Sequence, residues 1–289
     1  GASALFGSLW LIGGGMVTMA FGAVGMLGSQ RLTHLAGFAA ILSSGTLLAA
    51  AGFGQNLLTA GLLYYLPSST LAVSALFLTA DLIDRWRNDG ASYAPFEQSD
   101  NAPFLNAELV PTEGLNLDED EEVLIGRVIP AAAALLGLAF IVCTLVITGL
   151  PPLSGFVGKF AMLSALLNPL GLTASAGTQP GAPGWTLFVL MIATGLLALI
   201  ALTRVGIRHF WSTHVRVAPQ LRVLEGLPIA VLLALCVALT VMAGPLMQFT
   251  QATADALHSP GTYIRAVMQA QPIPGPTTPG NAHLPKEAP

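Results

Sequence analysis

The feature that most constrains this chain is a stretch that interrupts its apolar runs: Ile147-Thr148-Gly149-Leu150-Pro151-Pro152-Leu153-Ser154-Gly155-Phe156-Val157-Gly158-Lys159-Phe160. One apolar run, over residues 128–147, precedes it and another, over 160–167, follows. A regular helix cannot pass through Pro151-Pro152, because each proline removes a backbone donor and its ring clashes with the preceding turn. Gly149, Gly155 and Gly158 permit unusual dihedrals and close approach of backbones. Within lipid, non-helical backbone is tolerated only where protein or a water-filled cavity surrounds it. Lys159 lies nine residues past Leu150, roughly 13 Å at helical rise. That is near the middle of a hydrocarbon core about 30 Å thick. A charge there costs about 2.5–3.5 kcal/mol even on an insertion scale and is by default read as functional. The competing reading is a hairpin with a Pro-Pro turn, its lysine snorkelling to the headgroups.

Composition supports a membrane setting. Apolar residues make up 54% of the chain and charged residues 9%, with a mean hydropathy of +0.71. Several runs reach the roughly 20 residues that a spanning helix needs. The fold class is therefore all-α integral membrane, with about seven transmembrane helical elements, one of them discontinuous. Cys143 and Cys236 both fall in apolar runs with no ligand spacing, which makes them small core residues. No motif for a nucleotide, haem, metal or nucleic acid occurs, so no cofactor is expected.

Taken in order, residues 1–83 read as membrane helices one to three, with spans near 5–27, 35–53 and 57–82. The first carries Gly7, Gly13, Gly14, Gly15, Gly22 and Gly25, small residues that let membrane helices pack closely. His34 opens the second span, either as a proton carrier or as an ordinary interfacial histidine. Pro67 sits inside the third, followed by Ser68, Ser69 and Thr70. Their hydroxyls can relay hydrogen bonds or bond back to the helix around the proline.

Residues 84–123 form an acidic soluble loop, with eleven acids against Arg85 and Arg87 before the next basic residue, Arg127. Charge blocks of this kind are usually solvated connectors. Residues 124–249 hold membrane helices four to seven, near 128–147, 149–167 (the broken element), 186–202 and 227–247, the last interrupted near Gly244-Pro245. Residues 250–270 read as an interfacial helix and 271–289 as a disordered, proline-rich tail. The basic residues within 204–222 are assigned to the cytoplasmic side.

The stretch TGLPPLSGFVGKF resembles the broken-helix signature of the antiporter-like membrane subunits. These are shared by respiratory complex I and the Mrp/Pha-type multisubunit cation/proton antiporters. The segments ALTRVGIRHFW, LRVLEGLPIAVLLALCVALTVMAGPLMQFTQATADAL and SPGTYIRAV are similar to the C-terminal region of the Mrp/Pha D subunits. The resemblance implies the C-terminal half of a 14-helix subunit, so the sequence is expected to be part of a longer protein. It implies a transporter subunit rather than an enzyme, multi-pass in the bacterial inner membrane.

The implied partners are other hydrophobic subunits, membrane lipids, protons and sodium or potassium. Lys159 would belong to the exit half of a proton path, held by the motif residues Gly149, Pro151, Pro152, Ser154, Gly155 and Gly158. Ser68, Ser69, Thr70 and His34 would extend that path. The chain departs from the family pattern at several places: Arg31 stands where an acid is usual, Thr33 and His34 where a basic pair is usual, Ser68 and Ser69 in a region that often carries a histidine, and Val73 where a lysine is usual. Two other functions stay open, a proton-pumping subunit of an NADH:quinone oxidoreductase-like complex and a non-conducting structural subunit.

Overall fold

The computed structural model describes residues 7–92, 131–168, 181–210 and 223–269. Every described element is helical: α1 (Ser8–Gly28), α2 (Leu32–Gly52), α3 (Asn56–Ser92), α4 (Ala131–Thr148), α5 (Ser154–Leu167), α6 (Ala182–Phe210), α7 (Val223–Val241), α8 (Ala243–His258) and α9 (Pro260–Gln269). Among the described residues, α1, α2, α3 and α6 are long and apolar enough to cross a membrane. The bent pair α7–α8 makes a fifth span if counted as one. By length, α4 and α5 fall short individually. The protein is thus an all-helical, multi-pass membrane protein, with four or five complete spans rather than seven by this criterion.

Apolar side chains point outward as well as inward. Val17, Phe21, Val189, Ile192, Leu196 and Ile200 are exposed, as a lipid-facing surface requires, whereas each helix satisfies its own backbone. Hydroxyls inside the helices return to the carbonyl one turn back. Thr46 donates to Leu42, Thr79 to Ala75, Thr144 to Phe140 and Thr194 to Leu190. This satisfies a polar side chain within its own helix, and Thr46 also reaches Met19 Sδ of α1 at 3.2 Å.

Small residues set the tightest packing. A Cβ on Gly15 would strike the backbone of Ala49, and one on Gly45 would strike that of Met19, so α1 and α2 touch backbone to backbone. Gly13 and Gly14 face open space. The next junction closes on Gly54, whose φ of 59° is the left-handed conformation that commonly ends a helix.

Helix α3 is the hub. It packs against α2, α4, α5, α7 and α8, while α6 packs against α1, α2, α4 and α5. Tyr64, Tyr65 and Leu76 of α3 and Met162 of α5 are fully buried. Pro67 does not end α3.

Several boundaries move from their expected places. Helix α3 continues past residue 84 to Ser92, into the stretch read as loop. No glycine intervenes before Gly90, and Arg85 pairs with Asp81 one turn back, a spacing that supports a helix. Helix α6 runs to Phe210, so Arg204, Arg208 and His209 are helical rather than in a loop. The break expected near Gly244-Pro245 lies at Met242, with α7 and α8 bent by 80°. Pro245 sits in the first turn of α8, where a missing N–H costs nothing. The interfacial helix expected over 250–270 is divided between α8 and α9. The remainder of the acidic loop, residues 93–123, and the tail over 271–289 lie outside the described residues.

Candidate functional site

The break between α4 and α5 builds the site. Helix α4 ends at Thr148 because Gly149 takes a φ of 79°, a conformation that side-chain-bearing residues rarely adopt. The amides of Gly149 and Leu150 both turn back to the Leu145 carbonyl, at 3.1 and 3.0 Å. The chain passes through Pro151-Pro152, a cis bond, and restarts at Ser154. A helix end leaves its last carbonyls without intrahelical partners. Here two of them, Ile147 and Thr148, accept hydrogen bonds from Lys159 Nζ at 2.8 and 3.0 Å.

Lys159 is 9% exposed, and its amine sits where the helix dipole of α4 presents partial negative charge. Among the described residues no carboxylate pairs with it; the ion pair found there is Arg85–Asp81. The buried ring of Tyr65 lies 6.0 Å from Nζ, centroid to nitrogen, at the edge of cation–π range.

Glycines make this geometry possible. Gly149 leaves room for the Lys159 stem, since a Cβ there would meet its Cδ and Cε. Gly155 brings α5 onto α4: a Cβ would run into the Val146 backbone, including its carbonyl. Gly158 lies on the backbone and Cβ of Tyr65. From the other side, Gly195 of α6 faces the amine, and a Cβ there would stand 3.2 Å from the Thr148 carbonyl and 4.0 Å from Nζ.

Of the residues singled out from the sequence, Lys159, Gly149, Gly155 and Gly158 come together around the break. Ser154 and Ser68 join them, their buried hydroxyls 2.8 Å apart. This bond ties the start of α5 to α3 just beyond Pro67. Ser69 and Thr70 behave differently: they donate to the Leu66 carbonyl, and Thr70 also to that of Pro67. Thr70 and His34 are exposed, His34 in the first turn of α2.

Sequence reasoning missed Tyr65, Gly195 and the two carbonyl acceptors. The first two carried weak signals, a tyrosine two residues before Pro67 and a Thr-Gly pair inside an apolar run. The carbonyls carry none, because any residue supplies one. A second break is served by the neighbouring tyrosine. Tyr64 donates its hydroxyl to the Leu239 carbonyl at 2.8 Å, near the end of α7.

No protein-family model matches the sequence. The D subunit of a probable K(+)/H(+) antiporter of Rhizobium meliloti (strain 1021) is 44% identical over 271 residues, which is 93% of this chain and 48% of that protein. The D subunits of Na(+)/H(+) antiporters are 31% identical over 134 residues in Alkalihalophilus pseudofirmus and 30% over 137 in Bacillus subtilis. These matches cover 45% and 46% of this chain and 24% and 25% of those proteins. The chain thus spans about half the length of the Rhizobium meliloti subunit and a quarter of the other two. Among solved structures, respiratory complex I from Thermus thermophilus with bound Aureothin is similar at a TM-score of 0.48 and 18% identity, over 83% of this chain and 45% of that one.

Proposed function

We propose that this chain, an antiporter-like membrane subunit related to the D subunits of multisubunit cation/proton antiporters, carries one step of a transmembrane proton path on Lys159. The observation that carries the reading is the buried amine bonded to Ile147 and Thr148 at a helix break. An ammonium has three N–H donors and the carbonyls take two. A neutral amine keeps two donors and gains a lone pair, so both carbonyls stay satisfied when the third proton leaves. The site therefore accommodates both protonation states without opening the break. The buried Ser68–Ser154 hydroxyl pair at the start of α5 can donate and accept, which suits it to relay a proton between α5 and α3.

In this reading α4 and α5 act as one discontinuous span and α7–α8 as another. Counting α4 and the broken element α5 separately and α7–α8 once, together with the four long helices, gives about seven elements, the C-terminal half of a 14-helix subunit. The transported ions are protons against sodium or potassium, in a complex with other hydrophobic subunits in a bacterial inner membrane. Ser69, Thr70 and His34 enter only as peripheral groups, two bonded back to their own helix and one on the surface.

A structural reading is favoured by the same two hydrogen bonds, because a lysine that merely caps α4 would make them as well. Lys159→Ala in the complete assembly separates the two. The proton role predicts that antiport in membrane vesicles is lost while the protein still assembles. Unchanged antiport at several pH values would rule that role out, and loss of the protein from the membrane would favour the cap.

A further inference from the structure

Away from the break, the C-terminal end of α6 carries a second constellation. Arg204 and Arg208 are one turn apart, on one face of the helix. Arg204 lies twenty-two residues after Ala182, roughly 33 Å along the helix. This places both arginines at the boundary of a hydrocarbon core about 30 Å thick.

The Nη2 of Arg204 donates to the carbonyls of Leu27 and Ser29, where α1 ends. The Nη1 of Arg208 donates to Gln30 Oε1 at 3.0 Å. These bonds engage one nitrogen of each guanidinium, and each guanidinium carries five N–H donors in a fixed fork. Among the described residues neither arginine pairs with a carboxylate.

Between the elements lies a cavity of about 310 Å³ lined by Gln30, Arg204, Val205, Ile207 and Arg208. Val205 is buried and Ile207 is 52% exposed, so the cationic head of the cavity adjoins an apolar wall. Arginine forks match phosphate geometry. Basic pockets between membrane helices at the water boundary are suited to anionic headgroups.

We propose that this cavity binds the phosphate of an acidic phospholipid, with Arg204 and Arg208 as the anion ligands, Gln30 holding Arg208 in place, and the acyl chain running along Ile207. The two cations, paired with no carboxylate among the described residues, select a net-negative headgroup over a zwitterionic one. The apolar wall selects a lipid over free phosphate. By bridging the α1–α2 turn to α6, the lipid would join two parts of the bundle that otherwise meet there through the arginines.

The test uses the full chain in its native membrane vesicles and photo-crosslinkable phosphatidylglycerol, with photo-crosslinkable phosphatidylcholine as the comparison. Peptide mapping should place the acidic lipid on the segment containing Arg204 and Arg208. Arg208→Ala should weaken labelling by about tenfold, the scale of one charge-assisted hydrogen bond. Gln30→Ala should weaken it less. Arg208 is exposed, so its variant should keep the wild-type amount in the membrane. Arg204→Lys, which keeps the charge and the reach to α1 but loses the fork, should also reduce labelling. The proposal is overturned if phosphatidylcholine labels the segment equally or Arg208→Ala labels as well as wild type. It is also overturned if millimolar inorganic phosphate displaces the lipid at matched ionic strength, since the site would then take the free ion.

Discussion

Gly195→Ala should leave the stability of the protein unchanged or slightly higher and make it a poorer proton carrier. The added Cβ stands 3.2 Å from the Thr148 carbonyl, against an ordinary contact that begins at 3.4 Å, and 4.0 Å from Lys159 Nζ. A relaxation of a few tenths of an ångström absorbs the first contact at a fraction of a kcal/mol. Alanine in a helix interior gains up to about 1 kcal/mol over glycine. The net effect on stability is therefore near zero or favourable.

The methyl group would also stand 4.0 Å from the amine, narrowing the α6 side from which an acceptor for its third N–H could approach. If the methyl group keeps that acceptor away in the transport step, the cost is on the scale of one hydrogen bond at a buried polar group, about 1–3 kcal/mol, roughly 5- to 150-fold if it falls on the slow step. Gly195→Leu should reduce transport further. The assay is cation-driven proton movement in membrane vesicles with a pH-sensitive dye, alongside thermal unfolding in detergent. Wild-type flux in Gly195→Leu at normal abundance would refute the reasoning, because the amine would then exchange its proton by another side.

Three further substitutions probe the same region. Gly155→Leu drives a side chain into the Val146 backbone and should lower the unfolding midpoint with a cost of at least about 1–3 kcal/mol; an unchanged midpoint would mean that α4 and α5 part freely. Ser68→Ala leaves the buried Ser154 hydroxyl without its partner at 2.8 Å and should cost about 0.5–1.5 kcal/mol, with slower proton flux measured in the same vesicles. Tyr64→Phe removes the donor to Leu239 and should increase hydrogen exchange at the amides around Met242 while leaving Lys159 surroundings unchanged.

The break was legible because its parts are chemically unusual: two prolines, three glycines and a lysine within apolar runs leave few arrangements a membrane permits. The acceptors of that lysine were not legible, since Ile147 and Thr148 contribute only carbonyls. Ser68 stood out only as one of three adjacent hydroxyls; which one reaches across to Ser154 depends on the rotation of α3. The number of complete spans was legible only coarsely, for a different reason. Length and hydropathy define a crossing only when the helix is continuous, and four of the nine described helices, α4, α5, α7 and α8, adjoin breaks. The ends of α3 and α6 were set short because charge was read as the end of a membrane span. Arg85 and Arg208 show that charged residues can continue the helix beyond it.

The two tyrosines of α3 give that helix the character of a camshaft. Tyr64 holds the end of α7 and Tyr65 flanks the amine at the other break. Side-chain atoms lie about 5–6 Å from a helix axis, so turning α3 by about ten degrees sweeps them through roughly 1 Å. A displacement of that size is comparable to the margin of the 2.8 Å bond from Tyr64, and the same turn would carry the ring of Tyr65, 6.0 Å from Lys159 Nζ, with it. The two breaks thus share one helix as a support, through adjacent residues that reach different neighbours.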